Sequence, residues 1–213
     1  NDMPYARQTI MILYNQGNVI ESIIIYQNPA TFDEKVMVLM MKPLAKDSCA
    51  FLPVTFVRGA DYYVDWGDGS KIDTLSVSFP KHKYNDISRM YPVQISGTIN
   101  TIGKGSNFSH GADLYEVIQW GSCSLAGISF EGQKNLVHVA PAKGEELRNV
   151  KNCNGLFKYC SSLKEVPIGF MDGLSPQTTN FNYAFYGCSS LEHLNNDLFR
   201  NFTGKSGVVI WQM

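Results

Sequence analysis

"NCNGLFKYCSSLKEV" (152–166) and "NFNYAFYGCSSLEHL" (180–194) are one phrase written twice. Asn152 and Asn180, Asn154 and Asn182, Phe157 and Phe185, Cys160 and Cys188, the two serines that follow each cysteine, and Leu163 and Leu191 are identical. The likeness continues in kind, with Phe170 and Met171 falling on Leu198 and Phe199, and Leu174 on Phe202. Reduced to its apolar positions, the phrase is Phe, five residues, Leu, two residues, an aliphatic. Upstream the skeleton recurs as Phe130–Leu136–Val139 and, more loosely, as Phe108–Leu114–Val117. Its leucines are thus Leu114, Leu136, Leu163 and Leu191, a spacing in the twenties throughout. One such unit cannot bury its own apolar side; stacked units can, with Phe over Phe, Leu over Leu and Cys over Cys.

This frame decides how "FYGCSSLEHL" (185–194) is read. A nucleophilic cysteine needs its thiolate stabilised by a positioned base or a helix N-terminus. His193 follows Cys188 closely, but Cys160 holds the same place in its own copy and has Glu165 where His193 would be. A thiol that recurs without its base is expected to be core, where small thiols are commonly buried. The serines are expected to bond turn backbone. No catalytic residue is assigned. After Phe202 the frame gives way to "TGKSGVVIWQM" (203–213), in which Val208 and Trp211 keep the spacing loosely, as a terminal cap or a truncated further unit would.

The first hundred residues read as short strands. "TIMILY" (9–14) and "VIESIIIY" (19–26) flank the turn "NQGN" and predict a hairpin. "KVMVLMM" (35–41), "LPVTFV" (52–57) and "YYVDW" (62–66) follow. "TLSVSF" (74–79) and "YPVQISG" (91–97) alternate apolar with polar, as half-buried strands do. Strands this short, separated by Gly, Pro, Asp and Asn, suggest an antiparallel sandwich. "NTIGKGSNFSHG" (100–111) reads as a linker. The expected organisation is a first domain over 1–104, with unassigned strands over 1–30, and a repeat domain over 105–213. The fold class is mainly β with some α.

Composition narrows the functions. The 213 residues carry a net charge of −1 with no basic run, which leaves nucleic acid without an electrostatic footprint. The longest apolar runs are far shorter than the roughly 20 residues of a membrane-spanning helix. Five cysteines (49, 123, 153, 160, 188) give neither a CxxC pair nor a dense disulfide framework. "DWGDGS" (65–70) lacks the alternating oxygens and the position-twelve Glu of an EF-hand, so its aspartates are expected to bond the turn backbone. "TGKS" (203–206) lacks the earlier Gly of a phosphate-binding loop. No metal and no cofactor is expected.

"YYVDWGDGS" (62–70), then "HKY" (82–84), then "YPVQISG" (91–97) resembles the polycystic-kidney-disease-type (PKD-like) β-sandwich, whose family carries W-x-D-G or W-G-D-G, H-x-Y and a Y-x-V-x-I strand in that order. The resemblance implies that Trp66 and Tyr84 fill the sandwich core and that His82 hydrogen-bonds in a turn. "SRM" (88–90) stands where that family has a Gly. "CSSL" within the Phe/Leu frame resembles the BspA-like leucine-rich repeats of bacterial surface proteins, and "YEVIQWGSCSLAGISFEGQKNL" (115–136) looks like the junction between such a sandwich and such repeats. Together these likenesses imply a PKD-like sandwich followed by a short leucine-rich solenoid. They imply a cell-surface or secreted protein of a Gram-negative bacterium that adheres to host or bacterial surface proteins and is not an enzyme. Lipid anchoring, common in that class, would require a cysteine in a removed N-terminal segment.

The residues expected to bind are those that the frame leaves free. His138, Lys164, Glu165, Glu192 and His193 fall at open positions of the Leu-x-x-aliphatic strands, a surface that solenoids commonly use. A glycan-binding alternative rests on exposed aromatics, for which Trp120 at the junction and the pair Tyr62 and Tyr63 are the candidates. An adhesin predicts Trp120 buried; a glycan binder predicts Trp120 or a tyrosine lying open.

Overall fold

The computed structural model describes the backbone of residues 8–15 and 18–26 and the whole of residues 32–103, 113–142, 146–178, 180–192, 194–195 and 198–202. Two compact units appear, residues 1–34 and residues 35–213. The protein is mainly β, with 28% strand in several sheets. Among the described residues helix is confined to two 3-10 turns, Met171–Gly173 and Arg200–Phe202, so the expected α content is corrected to almost none.

In the first unit, β1 (Gln8–Asn15) and β2 (Asn18–Tyr26) pair antiparallel, with Gln8 opposite Tyr26 and Asn15 opposite Asn18. This is the hairpin predicted for 9–26. The rest of the strands belong to the second unit: β3 (Met37–Met41), β4 (Cys49–Phe51), β5 (Val54–Phe56), β6 (Tyr62–Asp65), β7 (Asp73–Leu75), β8 (Lys81–Lys83), β9 (Tyr91–Gly97), β10 (Ile99–Ile102), β11 (Leu114–Gln119), β12 (Gly127–Ile128) and β13 (His138–Val139). Six of them form one sheet in the order β13-β11-β3-β9-β6-β7. Strand β3 lies in its middle and is buried along its whole length, which is why its sequence is continuously apolar instead of alternating. The order β12-β10-β5 makes a second sheet, and β4 pairs with β8.

Two strand expectations change. "TLSVSF" alternates over 74–79, yet β7 stops at Leu75 and Val77 is exposed. As the edge of its sheet, β7 has only β6 to pair with, and the Val77 carbonyl instead accepts the Tyr62 hydroxyl at 2.7 Å. In the other direction, residues expected to begin a linker form β10. Its Ile99 and Ile102 are buried, and it pairs antiparallel with β5 and parallel with β12.

The boundary expected near residue 105 is also crossed by hydrogen bonding. Strand β11 lies antiparallel against β3, and β13 continues that sheet in parallel with β11. Gly103 has its φ at +82°, and a Cβ there would lie 2.1 Å from the Ser129 carbonyl oxygen. Backbone from either side of residue 105 therefore approaches too closely for any side chain.

The residues of the W-G-D-G and H-x-Y motifs build one aromatic stack. Trp66 donates its indole N–H to Asp73 Oδ2 at 2.7 Å. His82 lies flat against Trp66 with centroids 4.8 Å apart, and its Nε2 is 2.8 Å from Asp68 Oδ2. Tyr84 meets His82 edge-on, stacks on Tyr91 and donates its hydroxyl to the Trp66 carbonyl. Trp66 and Tyr84 are both 1% exposed. Asp65 and Asp68 accept the Gly67 and Ser70 amides, so the turn uses its carboxylates on its own backbone. With "SRM" in place of a glycine, the next turn is closed by Asp86. One carboxylate oxygen of Asp86 takes both the amide and the hydroxyl of Ser88, and its carbonyl takes the Tyr91 hydroxyl.

The two copies of the repeated phrase lie side by side in parallel register. Asn152 and Asn180 form a parallel bridge. The amides of Cys153, Gly155, Phe157 and Tyr159 donate to the carbonyls of Asn180, Asn182, Ala184 and Tyr186. One copy earlier, Phe130 and Gly132 donate to Leu156 and Lys158. The rings of Phe130, Phe157 and Phe185 follow as a ladder with 5.7 Å between centroids at each step. Asn152 and Asn180 each turn a side-chain oxygen onto the amide two residues on, which accounts for their identity in both copies.

Candidate functional site

The frame first fixes what the cysteines and serines do. Cys160 donates its thiol to the Phe130 carbonyl at 3.0 Å, and Cys188 donates to the Phe157 carbonyl at 2.9 Å. Each thiol thus bonds the Phe carbonyl of the preceding copy. Ser161 and Ser189 bond backwards in the same way, to the carbonyls of Lys134 and Ser161. Burial pushes the Cys160 thiol well above its ordinary range and the Cys188 thiol up to about 11, the opposite of an activated thiolate. Cys160 in the folded protein is therefore expected to react with iodoacetamide at neutral pH far more slowly than after unfolding in guanidinium, a ratio readable by mass spectrometry. Equal rates would remove it from the core.

The same column explains one buried polar residue. Gln133 occupies the place of Cys160 and Cys188 one copy earlier and is 0% exposed. Among the described residues neither of its side-chain polar atoms has a hydrogen-bond partner. Unpaired buried polar groups cost roughly 1–3 kcal/mol each, less when the site relaxes. Replacing Gln133 by the similarly shaped Met is expected to stabilise the protein by about 1–2 kcal/mol, measured as a higher urea midpoint at unchanged slope.

The expected binding residues fall into two groups. Lys164, Glu165 and Glu192 are exposed, while Leu163 and Val166, which flank the first pair, are buried. The Glu192 amide donates to the Lys164 carbonyl, so these two residues sit on adjacent copies. His138 is half-buried in β13, where it pairs with Glu116 of β11, and thus lies on the large sheet. His193 lies outside the described residues, as does the expected cap over 203–213. The last apolar rung is partly open: Phe185, Cys188 and Leu191 are half-buried and Leu194 is 40% exposed.

Two of the three glycan candidates are not available for stacking. Trp120 is 2% exposed, packs against Phe130 and Phe170, and donates its indole N–H to the Ala140 carbonyl. Tyr62 is fully buried, with its hydroxyl bonded to Val77. Only Tyr63 faces outward, because alternate residues of β6 point to opposite sides of the sheet.

The structure adds a cluster that the sequence did not single out. Tyr159, Tyr183 and Tyr186 are exposed, and Tyr186 meets both of the others, with centroids 5.4 Å from Tyr159 and 6.1 Å from Tyr183. The Lys158 ammonium lies over the rings of both Tyr159 and Tyr183 and is bonded to Glu131 Oε1 at 2.7 Å. That hydrogen bond holds the ammonium above its ordinary pKa. In the repeat frame Tyr159 falls on Gly187 and Tyr183 on Gly155, so the cluster does not repeat and escapes a search for identities. The signal was the mismatch itself, a tyrosine where the sister copy has glycine. No protein-family model matches the chain, and neither a curated protein nor a solved structure matches it.

Proposed function

We propose that the protein is a non-catalytic surface-binding module, a PKD-like β-sandwich continued by a short BspA-like leucine-rich solenoid, and that the solenoid contacts a protein partner. The observation that carries this reading is the in-register pairing of the two copies, which buries the apolar side of the first, half-buries that of the second and leaves Lys164, Glu165 and Glu192 in solvent. Such an open face, built from adjacent units, suits an extended partner surface. The aromatic stack of Trp66, His82, Tyr84 and Tyr91 supports the sandwich half. The burial of Trp120 favours the adhesin reading over a glycan site at the junction. Cell-surface or secreted placement on a Gram-negative bacterium, with host or bacterial surface proteins as partners, belongs to the same proposal. Among the described residues no helix is long and apolar enough to cross a membrane.

The test is binding of the whole chain to immobilised fibronectin, fibrinogen, laminin and collagen, since the sheets span residue 105 and separate halves would lose paired strands. At least one of them should be retained, and the charge reversal Lys164→Glu with Glu192→Lys should weaken it tenfold or more. Retention that ignores the reversal would move the interface elsewhere on the molecule.

A further inference from the structure

We propose that Tyr159, Tyr183 and Tyr186, with Lys158 and Glu131, form a stacking site for a neutral carbohydrate. The proposal stands apart from the protein-binding reading and uses none of Lys164, Glu165 or Glu192.

Three of the nine exposed large apolar or aromatic side chains among the described residues are gathered in this one cluster. Exposed aromatics scattered singly are ordinary, whereas a contiguous group marks a binding surface.

Backbone strain at the cluster serves no core purpose. Tyr159 and Tyr183 have φ of +61° and +56°, the left-handed region that favours glycine. Their partners in the frame, Gly187 and Gly155, adopt the same sign of φ at +76° and +63°. Glycine would therefore serve the fold at both places with less strain, yet tyrosine is present and its ring is exposed. Room is even made for one ring: a Cβ on Gly187 would lie 2.5 Å from the Tyr159 ring. Strain held at an exposed residue is a feature of binding sites.

Chemistry selects the ligand. Tyr186 stands edge-on to both other rings, at 78° to Tyr159 and 89° to Tyr183, and the Lys158 ammonium lies over one face of each of those two rings, so a ligand would stack on the opposite face. Lys158 and Glu131 neutralise each other, so the cluster offers a strongly ionic ligand no uncompensated charge. Lys158 and Asn182, next to Tyr159 and Tyr183 in the chain, add polar donors and acceptors, while Phe185, next to Tyr186, is half-buried. A sugar ring presents what fits: a C–H face for an aromatic ring and hydroxyls for the polar edge.

The test is affinity electrophoresis of the intact protein through gels containing neutral polysaccharides: α- and β-linked glucans, a mannan, a galactan and a xylan. At least one should retard the protein. Tyr186→Ala and Tyr159→Gly should each weaken that retardation about tenfold or more, with Ile72→Ala, an exposed apolar residue elsewhere, as the unaffected comparison. Tyr159→Gly places the sister copy's residue at a left-handed position, and unchanged circular dichroism of both tyrosine variants ties the loss to the lost rings. No retardation by any of the polysaccharides overturns the proposal. So does retardation that both tyrosine variants retain, or loss that follows unfolding. Failure here leaves the matrix-protein test untouched, because that test reads different residues.

Discussion

Truncating Phe157 to Ala is expected to cost about 3–5 kcal/mol, lowering the thermal midpoint by roughly 10 °C or more. Phe157 is 0% exposed and is the middle rung of the ladder, with Phe130 and Phe185 on either side and Phe170 at 5.6 Å. Both polar groups of its backbone are tied to the following copy, since its amide donates to the Ala184 carbonyl and its carbonyl accepts the Cys188 thiol. The surroundings therefore cannot collapse onto the cavity, and the cost should fall in the upper part of the range for buried Phe. Phe185 holds the same place one copy later but is only half-buried, so Phe185→Ala should cost about half as much. Denaturant melts of the two variants give the comparison. Equal costs would mean that Phe185 is covered as fully as Phe157.

The second large effect is a loss of stability as pH rises. Asp113 is 1% exposed, with Oδ2 accepting the Phe51 amide at 2.8 Å and Oδ1 lacking a hydrogen-bond partner among the described residues. Burial raises its pKa from 3.8 to about 7; the Phe51 hydrogen bond opposes this and the Asp47 charge adds to it. The folded protein thus holds this proton more tightly than the unfolded chain. The stability that the proton supplies is fully present below about pH 4 and is lost as pH rises through about 7. At about 1.4 kcal/mol for each tenfold difference in proton affinity, the loss reaches at most about 4 kcal/mol. The urea midpoint of the native chain is therefore expected to fall between pH 5 and pH 8. In Asp113→Asn, which keeps an acceptor for Phe51 but cannot ionise, that fall should be largely absent. A slope that persists in the variant would assign it to another group.

How much of the fold was legible in sequence depended on whether the cause of a feature was local or repeated. The Phe–Cys–Leu frame was readable because stacking demands the same residue at the same place in each copy, and Phe157, Cys160 and Leu163 are all 0% exposed. Strand β9 took the bounds expected for it, and the aromatic stack drew together Trp66, His82 and Tyr84 from the quoted motifs. Strand β10 was hidden because its partners, β5 and β12, are remote in sequence and its short run Ile99–Ile102 sits inside a stretch rich in Gly, Ser and Asn. The reverse error at 74–79 has the same origin, since alternation says nothing of whether a second strand will arrive to pair. Trp120 and Tyr62 illustrate a further limit. A large aromatic at a junction or in a strand reads the same whether its polar edge meets water or, as here, the carbonyls of Ala140 and Val77.

For the candidate site, the sequence located Lys164, Glu165 and Glu192 at open positions because the frame specifies which residues it does not use. It passed over the tyrosine cluster because the copies differ there. Left-handed φ is a property of the turn, and the sequence records it only as an alternation of glycine and tyrosine between sister positions.

The proposed binding face requires the two copies to lie side by side in register, and hydrogen-bond scalar couplings measure that directly. In a long-range HNCO spectrum of the deuterated protein, the amides of Cys153, Gly155, Phe157 and Tyr159 should show cross-peaks to the carbonyls of Asn180, Asn182, Ala184 and Tyr186. Cross-peaks shifted by one residue along the second copy, or amides at these positions that exchange freely with solvent, would contradict the stack and with it the binding face.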